Sequence, residues 1–426
     1  MPPIVNENLI ANASTQSNIN KKHLAKLKAR RKLWLAVHLY LGLVAGLFLS
    51  VVGLTGGLLV FYQESQDLLH PEFFITSKSG DSQPHLQSLD DIIKAAESAK
   101  PPSSQFSKLY YPRNNTLAYR FLYHVHNDKG EKGDGYNVFV DPYTLKVNGT
   151  QLWHPKDQDL ARPLPSFIMQ LHWCLLLGRE TGRITVGILG VLGFMSVLTG
   201  LIVWWPLTGK FKQALTIKHP AGNVRRIFDL HKTIGFYLSF VMLPVLLSGV
   251  CMNFPERVNT VVELFSPLHR PDVFDSIASN IHSSTANSSQ QTVSLSAVEN
   301  IVQKNYPSGR LWMLNAPKNM TDVFIIMKRD VNEVGQFIGY RDFAIDQYTG
   351  QIIKVYDAGT GSTGDIFMDW QWPLHSGHAF GWTGRILVLL AGLSFPVLYI
   401  TGFMRWLQKK SQKPQKVSDF KLKKHP

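Results

Sequence analysis

The sequence of 426 residues is short of cysteine and of the motifs that mark common soluble enzymes. Its only cysteines are Cys174 and Cys251, and it contains no Cys-x-x-Cys pair. It also lacks a Walker loop, a zinc-ligand spacing and a nucleophile elbow, which argues against nucleotide hydrolysis, structural zinc and serine hydrolysis. The two cysteines can form a disulfide or act as small apolar packing residues, and the sequence leaves both open.

Acidic residues are nearly absent from three segments of the chain. Residues 1–32, 207–228 and 405–426 together carry twenty Lys or Arg against two acids, Glu7 and Asp419. The rest of the chain carries 24 basic and 28 acidic residues, although the net charge of the whole chain is +14. Short basic segments that alternate with long near-neutral ones follow the positive-inside rule. The pattern predicts cytoplasmic termini and argues against nucleic acid as a partner.

Charged residues are scarce in four long stretches, near Trp34–Tyr62, Ile184–Trp205, Leu230–Phe254 and Ile386–Leu407. About 20 helical residues cross a bilayer about 30 Å thick, so each stretch is predicted to be a transmembrane helix. The first stretch is longer than the apolar part of a cleaved signal peptide, which favours a retained anchor. We therefore expect a multi-pass protein embedded in the lipid bilayer.

The two halves of the chain show the same order of features. Each half has a span, a long outer segment with one helix-like stretch followed by alternating strands, and a second span. We therefore expect a mainly α membrane protein of four transmembrane helices in two parallel repeats, with two extracytoplasmic α+β modules. The predicted boundaries are a basic cytoplasmic tail at 1–32, a transmembrane helix at 33–63, an outer module at 64–165, an interfacial segment and helix at 166–206, a basic loop at 207–228, a helix at 229–254, an outer module at 255–374, an interfacial segment and helix at 375–407, and a basic tail at 408–426.

Each outer segment has a strand that runs into a turn beginning with aspartate. Asp141 and Asp346 start these turns, and an aspartate side chain can cap such a turn by accepting from the backbone two residues on. Leu145 stands in the first turn where Gly350 stands in the second. We therefore expect the two turns to differ in geometry.

Two histidines lie about one turn inside the first and third spans. His38 is followed four residues later by Gly42, and His231 by Gly235. A Thr-Gly or Ser-Gly dipeptide follows seventeen residues after each histidine, which aligns the two copies. A polar ring in a bilayer helix is costly and usually functional. Two such imidazoles can take both axial positions of a b-type heme, and each glycine, on the same helix face, leaves room for the porphyrin.

A second set of histidines precedes the second and fourth spans. His172 and His375 are equivalent in the two halves and predict a second heme b near the outer face, with His378, one turn after His375, as a competing ligand. Alternatively, these rings lie in the interface and bind lipid phosphate or backbone carbonyls. Arg183 and Arg385, each after a glycine, can pair with heme propionates or with lipid phosphate, and both remain open.

The order of these features resembles the PepSY-associated transmembrane family over residues 33–407. The resemblance rests on the four spans, the two His-x-x-x-Gly motifs, the Asp-x-Tyr-Thr turns, and the stretch from His375 to Arg385. It implies PepSY-like folds outside the membrane and a role in iron uptake, since the family includes iron-regulated bacterial inner-membrane proteins and heme-bearing ferric-siderophore reductases.

The resemblance and the two predicted hemes together favour a transmembrane oxidoreductase that reduces a periplasmic ferric siderophore from Fe(III) to Fe(II). Some relatives carry a fused cytoplasmic flavin-binding domain, whereas here only 19 residues follow the fourth span. We therefore expect a separate donor, either a flavin or a quinol. A rival hypothesis is a membrane-anchored module that binds a peptide or a protease without redox activity. A third keeps the hemes but makes quinone, copper or a thiol the acceptor.

Overall fold

The computed structural model describes residues 7–77, 85–126, 132–156, 159–206, 209–269, 281–284, 291–334 and 339–411, with side chains from residue 25 onward. The helices are α1 (Glu7–Leu59), α2 (Tyr62–Leu69), α3 (Pro71–Phe74), α4 (Leu89–Ser98), α5 (Leu164–Cys174), α6 (Arg179–Trp204), α7 (Phe211–Leu215), α8 (Asn223–Asn253), α9 (Pro255–Glu263), α10 (Leu295–Asn305), α11 (Thr363–Asp369), α12 (Gln371–Ser376) and α13 (Gly381–Ser411). The strands are β1 (Ser104–Tyr110), β2 (Tyr119–His126), β3 (Lys132–Val140), β4 (Val147–His154), β5 (Arg310–Asn315), β6 (Val323–Arg329), β7 (Tyr340–Asp346) and β8 (Ile352–Asp357).

The prediction of four transmembrane helices is confirmed. The helices α1, α6, α8 and α13 carry apolar windows with a mean hydropathy of 2.1 to 2.4 and are long enough to cross a bilayer. They extend beyond the apolar runs of the sequence because the helical backbone continues into polar flanking residues. The candidate spans are Ala25–Leu59, Arg179–Trp204, Asn223–Asn253 and His378–Ser411.

The chain folds into two compact units, of which the first comprises residues 1–54, 188–247 and 390–426. Within this unit the helices α1 and α13 approach closely at a glycine. A Cβ atom on Gly46 would lie 2.9 Å from the ring of Tyr399, so only a glycine hydrogen fits between them. Small residues at such contacts are typical of helix pairs in membranes, where van der Waals packing replaces the hydrophobic effect.

The second unit comprises residues 55–187 and 248–389 and contains an eight-stranded antiparallel sheet. Its strand order is β4-β3-β2-β1-β5-β6-β7-β8, so two four-stranded meanders are joined through β1 and β5. At the junction, residues 108–110 pair with residues 313–315. The two outer segments that the sequence assigns to separate modules therefore contribute four strands each to one sheet.

One helix from each outer segment packs on the same face of the sheet. The helices α4 and α10 start at Ser88 and Ser294, whose hydroxyls accept from the backbone N–H groups of Asp91 and Ala297. Such N-caps satisfy helix donors that otherwise have no partner. The helices bury apolar side chains against the strands. The main core formed in this way includes Ile92, Ala96, Val298 and Val302 from the helices and Leu109, Phe121, Leu314, Ile326 and Phe343 from the strands.

The turns after β3 and β7 have the same geometry. Asp141 accepts from the backbone N–H of Tyr143, and Asp346 accepts in the same way two residues on, as expected for capping aspartates. Leu145 has φ 59° and Gly350 has φ 71°, so both residues are left-handed. The expectation that leucine changes the turn is therefore wrong. Leu145 keeps the left-handed backbone at a cost of roughly 1–2 kcal/mol.

We expect Gly350→Ala to lower the free energy of unfolding by about 1–2 kcal/mol, because alanine is strained in the left-handed region. The new Cβ would also lie 2.8 Å from Cδ1 of Ile301. Thermal unfolding of the purified protein in detergent measures the effect. Gly222→Ala is the matched control, since a Cβ there meets no atom within 4 Å. Equal midpoints for the two variants would contradict the prediction.

Candidate heme-binding histidine pairs

His38 from α1 and His231 from α8 lie side by side within the first unit. Their ring centroids are 6.1 Å apart and their planes are inclined by 74°. Both side chains are half-buried. The two histidines that occupy equivalent places in the sequence are thus neighbours in space, although 193 positions separate them along the chain.

The Nδ1 atoms of this pair are held by the other two long helices. His38 Nδ1 donates to the carbonyl oxygen of Ser196 in α6 at 2.9 Å, and His231 Nδ1 donates to that of Leu398 in α13 at 3.1 Å. Because a carbonyl only accepts, each Nδ1 carries the proton and each Nε2 keeps its lone pair. Histidines that bind a metal through Nε2 typically donate their other N–H in this way.

His172 from α5 and His375 from α12 form a similar pair within the second unit. Their ring centroids are 6.0 Å apart and their planes are inclined by 49°. The Nδ1 atom of His172 lies 3.5 Å from Thr55 Oγ1, and that of His375 lies 3.2 Å from Ser248 Oγ. In this pair a hydroxyl from a transmembrane helix, Thr55 in α1 or Ser248 in α8, stands beside each Nδ1 atom.

The competing residue, His378, follows in a short 3-10 turn, His378–Phe380. The ring that lies beside His172 is that of His375, one helical turn earlier along the chain. The geometry therefore favours His375 as the partner of His172.

The spacing of both pairs suits a metal held between two imidazoles. A metal–imidazole bond of about 2 Å and a ring radius of about 1.1 Å on each side give centroids about 6.2 Å apart. Within the described ranges, no group of three or more His, Cys, Asp or Glu side chains could hold a bare metal ion. Each pair offers two imidazole ligands, which suits an iron whose other four ligands come from a porphyrin.

Space is available on the helix faces next to the first pair. A Cβ on Gly42 would meet no atom within 4 Å, and one on Gly235 would meet only Leu398 Cδ2, at 3.7 Å. Both glycines lie four residues after a histidine and hence on the same face of its helix. These positions are compatible with a flat macrocycle against the helices, which is the role that the sequence suggests for them.

Arg385 is buried and binds groups of the protein. Its Nη2 atom donates to the carbonyl oxygen of Val60 at 2.9 Å and to Glu64 Oε1 at 2.7 Å. Its guanidinium also lies 4.6 Å from the ring centroid of Trp382. Burial is the largest single influence on Glu64 and would raise its pKa. The hydrogen bond and charge of Arg385, a backbone hydrogen bond and the charge of Arg113 together outweigh burial and lower that pKa below its ordinary value. A role for Arg385 toward a propionate stays a prediction.

Arg183, the equivalent residue in the first half, has weaker partners. Its Nη2 atom lies 3.7 Å from Glu180 and 4.0 Å from Glu256, both of which are largely exposed. Among the described residues, its Nε atom is buried and has no hydrogen-bond partner. A role for Arg183 toward a propionate or a lipid phosphate stays a prediction.

The residues that hold the imidazoles were not predicted as site residues. The carbonyls of Ser196 and Leu398 carry no sequence signal, because every residue has a carbonyl. The hydroxyls did leave a signal, since a Thr-Gly or Ser-Gly dipeptide recurs in each of α1, α6, α8 and α13. The two dipeptides seventeen residues after His38 and His231 align the two halves, but nothing in their spacing indicates that they contact imidazoles.

We expect Arg385→Met to lower the free energy of unfolding by about 1–3 kcal/mol, because the buried Val60 carbonyl loses a charged donor. Arg183→Met is the matched comparison and should cost less, since its ion pairs are long and exposed. Thermal unfolding in detergent compares the two variants. A larger loss for Arg183→Met would contradict the assignment of Arg385 as the structural arginine.

Comparison with known proteins identifies one family. Residues 35–409 match the family model described as PepSY-associated TM region. No curated protein matches the chain.

Proposed function

The chain belongs to the PepSY-associated TM region family, and from that premise we propose that it is a di-heme b electron-transfer protein of the bacterial inner membrane. It takes electrons from a separate flavin or quinol donor on the cytoplasmic side and reduces a periplasmic ferric siderophore during iron uptake. The proposal rests on the two pairs of histidines. The ring centroids are 6.1 Å apart in the first pair and 6.0 Å apart in the second.

His38 with His231 would hold one heme, and His172 with His375 would hold the other. The bound hemes would supply the one-electron chemistry of their iron. The chain itself would supply two imidazoles at a set spacing to each heme. Both the axial ligand and the surrounding dielectric tune the reduction potential.

We further propose that the chain consists of two parallel repeats, each with two spans and half of the sheet. Supporting this, β1–β4 and β5–β8 are meanders of equal strand number that meet at their first strands. Each meander follows one capped helix and contains one turn with a left-handed residue four positions after the aspartate. The histidines pair across the repeats in both units, as a pseudo-twofold relation requires.

The orientation of the protein follows from charge. Residues 1–32, 207–228 and 405–426 carry twenty basic residues against two acids, so these segments would remain in the cytoplasm. The sheet, formed by the two near-neutral segments, would then lie in the periplasm. His38 and His231, which follow the basic N-terminal and central segments, would then lie toward the cytoplasmic donor.

Ferric siderophore as the substrate is supported by the family resemblance and by coordination chemistry. Siderophores bind Fe(III) through hard oxygen ligands, and Fe(II) is a softer ion that these ligands hold less well. One-electron reduction therefore releases the iron. No general acid or base is required for this step, and the proposal assigns none.

We expect the wild-type protein from heme-sufficient cells to carry two hemes b per chain. His38→Ala, His231→Ala, His172→Ala and His375→Ala should each carry one, because a pair reduced to one imidazole loses half of its axial ligation. A pyridine hemochrome assay measures the ratio of heme to protein. The reduced spectra should sort the four variants into two classes, with His38 and His231 in one class and His172 and His375 in the other.

His282→Ala serves as the control, since this histidine is exposed and belongs to neither pair. Loss of the second heme in His378→Ala but not in His375→Ala would overturn the ligand assignment. Colourless wild-type protein would overturn the proposed function and leave the rival hypothesis of a membrane-anchored peptide-binding or protease-binding protein.

The acceptor can be tested separately. We expect dithionite-reduced protein, mixed anaerobically with a ferric siderophore, to be reoxidised with one electron per Fe(III), followed by stopped-flow absorbance. The gallium(III) complex of the same siderophore is the matched control, because gallium(III) has the same charge but accepts no electron under these conditions. Reoxidation by quinone, copper(II) or a disulfide, but not by the ferric complex, would change the substrate while leaving the hemes in place.

A further inference from the structure

Each of the four paired imidazoles lies against a hydroxyl residue and the glycine that follows it on a transmembrane helix. We call these the four hydroxyl–glycine dipeptides: Thr199-Gly200 beside His38, Thr401-Gly402 beside His231, Thr55-Gly56 beside His172, and Ser248-Gly249 beside His375. The same two-residue pattern meets the same ring atoms four times. Such a recurrence points to a shared requirement of the four rings.

The glycines allow the rings to lie against the helix backbone. A Cβ on Gly56 would lie 2.6 Å from Cε1 of His172, and one on Gly200 would lie 3.0 Å from Cε1 of His38. The other two glycines show the same contact, at 3.0 Å for Gly249 and 3.3 Å for Gly402. Any side chain at these positions would push the ring away. The Cε1 atom lies between the two ring nitrogens, so a displaced ring also displaces Nε2.

The hydroxyls act on the Nδ1 side of the rings. Thr199 Oγ1 donates to the carbonyl of Met195 at 2.9 Å, and Thr401 Oγ1 donates to that of Val397 at 2.7 Å. Because each hydroxyl proton is used within its own helix, the oxygen is left as an acceptor toward the imidazole. Nδ1 of His231 lies 3.0 Å from Thr401 Oγ1. This arrangement favours the tautomer that carries its proton on Nδ1.

We propose that the four hydroxyl–glycine dipeptides position the heme ligands, each dipeptide setting the rotamer of one imidazole so that Nε2 can bind iron. Thr199 and Thr401 also set the tautomer of their imidazoles. The proposal rests on the proposed function and adds to it which helices orient which pair of histidines. The dipeptides of α6 and α13 serve the pair His38 and His231. The dipeptides of α1 and α8 serve the pair His172 and His375. Each long helix therefore orients a histidine that belongs to another element.

This assignment of dipeptides to histidine pairs gives a prediction that does not follow from how close each glycine is to a histidine in the sequence. Gly56 lies in the same helix as His38, yet it is expected to control the heme of His172 and His375. We expect Gly56→Ala and Gly249→Ala to lose the heme that His172→Ala loses. Gly200→Ala and Gly402→Ala should instead lose or distort the heme that His38→Ala loses.

The measurement is the heme-to-protein ratio of each purified variant, together with the EPR spectrum of the oxidised protein. The g values of low-spin iron with two axial imidazoles depend on the angle between the ring planes. These angles are 74° and 49° in the two pairs, so we expect two distinct signals in the wild type. Each glycine variant should remove or shift one signal and leave the other unchanged.

Gly46→Ala is the matched control for the glycines. Its Cβ would meet the Tyr399 ring at 2.9 Å, a contact as tight as those of Gly200 and Gly249, but no histidine is involved. We expect this variant to keep both EPR signals at wild-type positions. Loss of both hemes in Gly46→Ala and in the four glycine variants alike would show a general packing defect and overturn the proposal.

A more conservative substitution tests the proposal if a glycine variant fails to fold. Thr401→Val removes the hydroxyl but keeps the shape of the side chain, so the fold should survive. We expect heme to leave this variant about 10-fold faster than wild type, a typical loss when a group behind a metal-binding histidine is removed. Transfer of heme to excess apomyoglobin measures the rate. Thr185→Val is the control, since Thr185 is half-buried and its hydroxyl donates to the carbonyl of Thr181 within its own helix.

The two proposals fail in different ways. Wild-type protein without heme would overturn the proposed function, and the positioning role with it. Wild-type protein with two hemes, but glycine variants with unchanged EPR signals and Thr401→Val with an unchanged rate of heme loss, would overturn only the positioning role.

Discussion

The hydrogen bond at the Nδ1 atom of each paired histidine is the interaction on which the site depends. In an apolar helix bundle a polar ring without a partner costs about 1–3 kcal/mol, so the ring turns to the nearest acceptor. For His38 and His231 the acceptor is a backbone carbonyl of a neighbouring helix. Because a carbonyl cannot donate, the proton is confined to Nδ1 and the lone pair to Nε2. The orientation of each of these two rings is thereby set by the protein itself.

This hydrogen bond requires helices that approach closely. The distance from His38 Nδ1 to its carbonyl is 2.9 Å, which leaves no room for a side chain where the ring crosses the backbone. Glycine at Gly200 and Gly402 meets that requirement, as Gly46 does where α1 meets α13. Small residues therefore have two roles here. They allow the membrane helices to pack closely, and they allow the imidazole rings to lie against the helix backbone.

The eight-stranded sheet organises the second unit. The helices that carry His172 and His375 follow the last strand of each meander, so both rings come from chain that leaves the sheet. The pairing of β1 with β5 makes one sheet of two segments whose paired residues are more than two hundred positions apart in sequence. Joining the segments in this way buries two strand edges that would otherwise be open to pairing with other chains. It also links the positions of the two halves from which the second histidine pair is drawn.

Much of this architecture could be predicted from local pattern. The four spans follow from hydropathy, and the capped turns at Asp141 and Asp346 follow from turn chemistry. The expectation for Leu145 failed because a preference for glycine at a left-handed position is worth only roughly 1–2 kcal/mol. The surrounding strand register can impose that conformation on leucine. The hydroxyl–glycine dipeptides were visible as a repeated spacing, but their contact with the rings was not, since each lies on a different element from its histidine.

The sequence by itself determined which segments cross the membrane, which histidines are equivalent in the two halves, and that they form two sets, because hydropathy and spacing are properties of the linear chain. Only the tertiary structure decided that His375 rather than His378 lies beside His172, that Arg385 binds Val60 and Glu64, and that the outer strands form a single sheet. The physical reason is that these outcomes depend on distances of a few ångströms between residues far apart in sequence. Such distances are set by how helices and strands pack, and no local pattern records them.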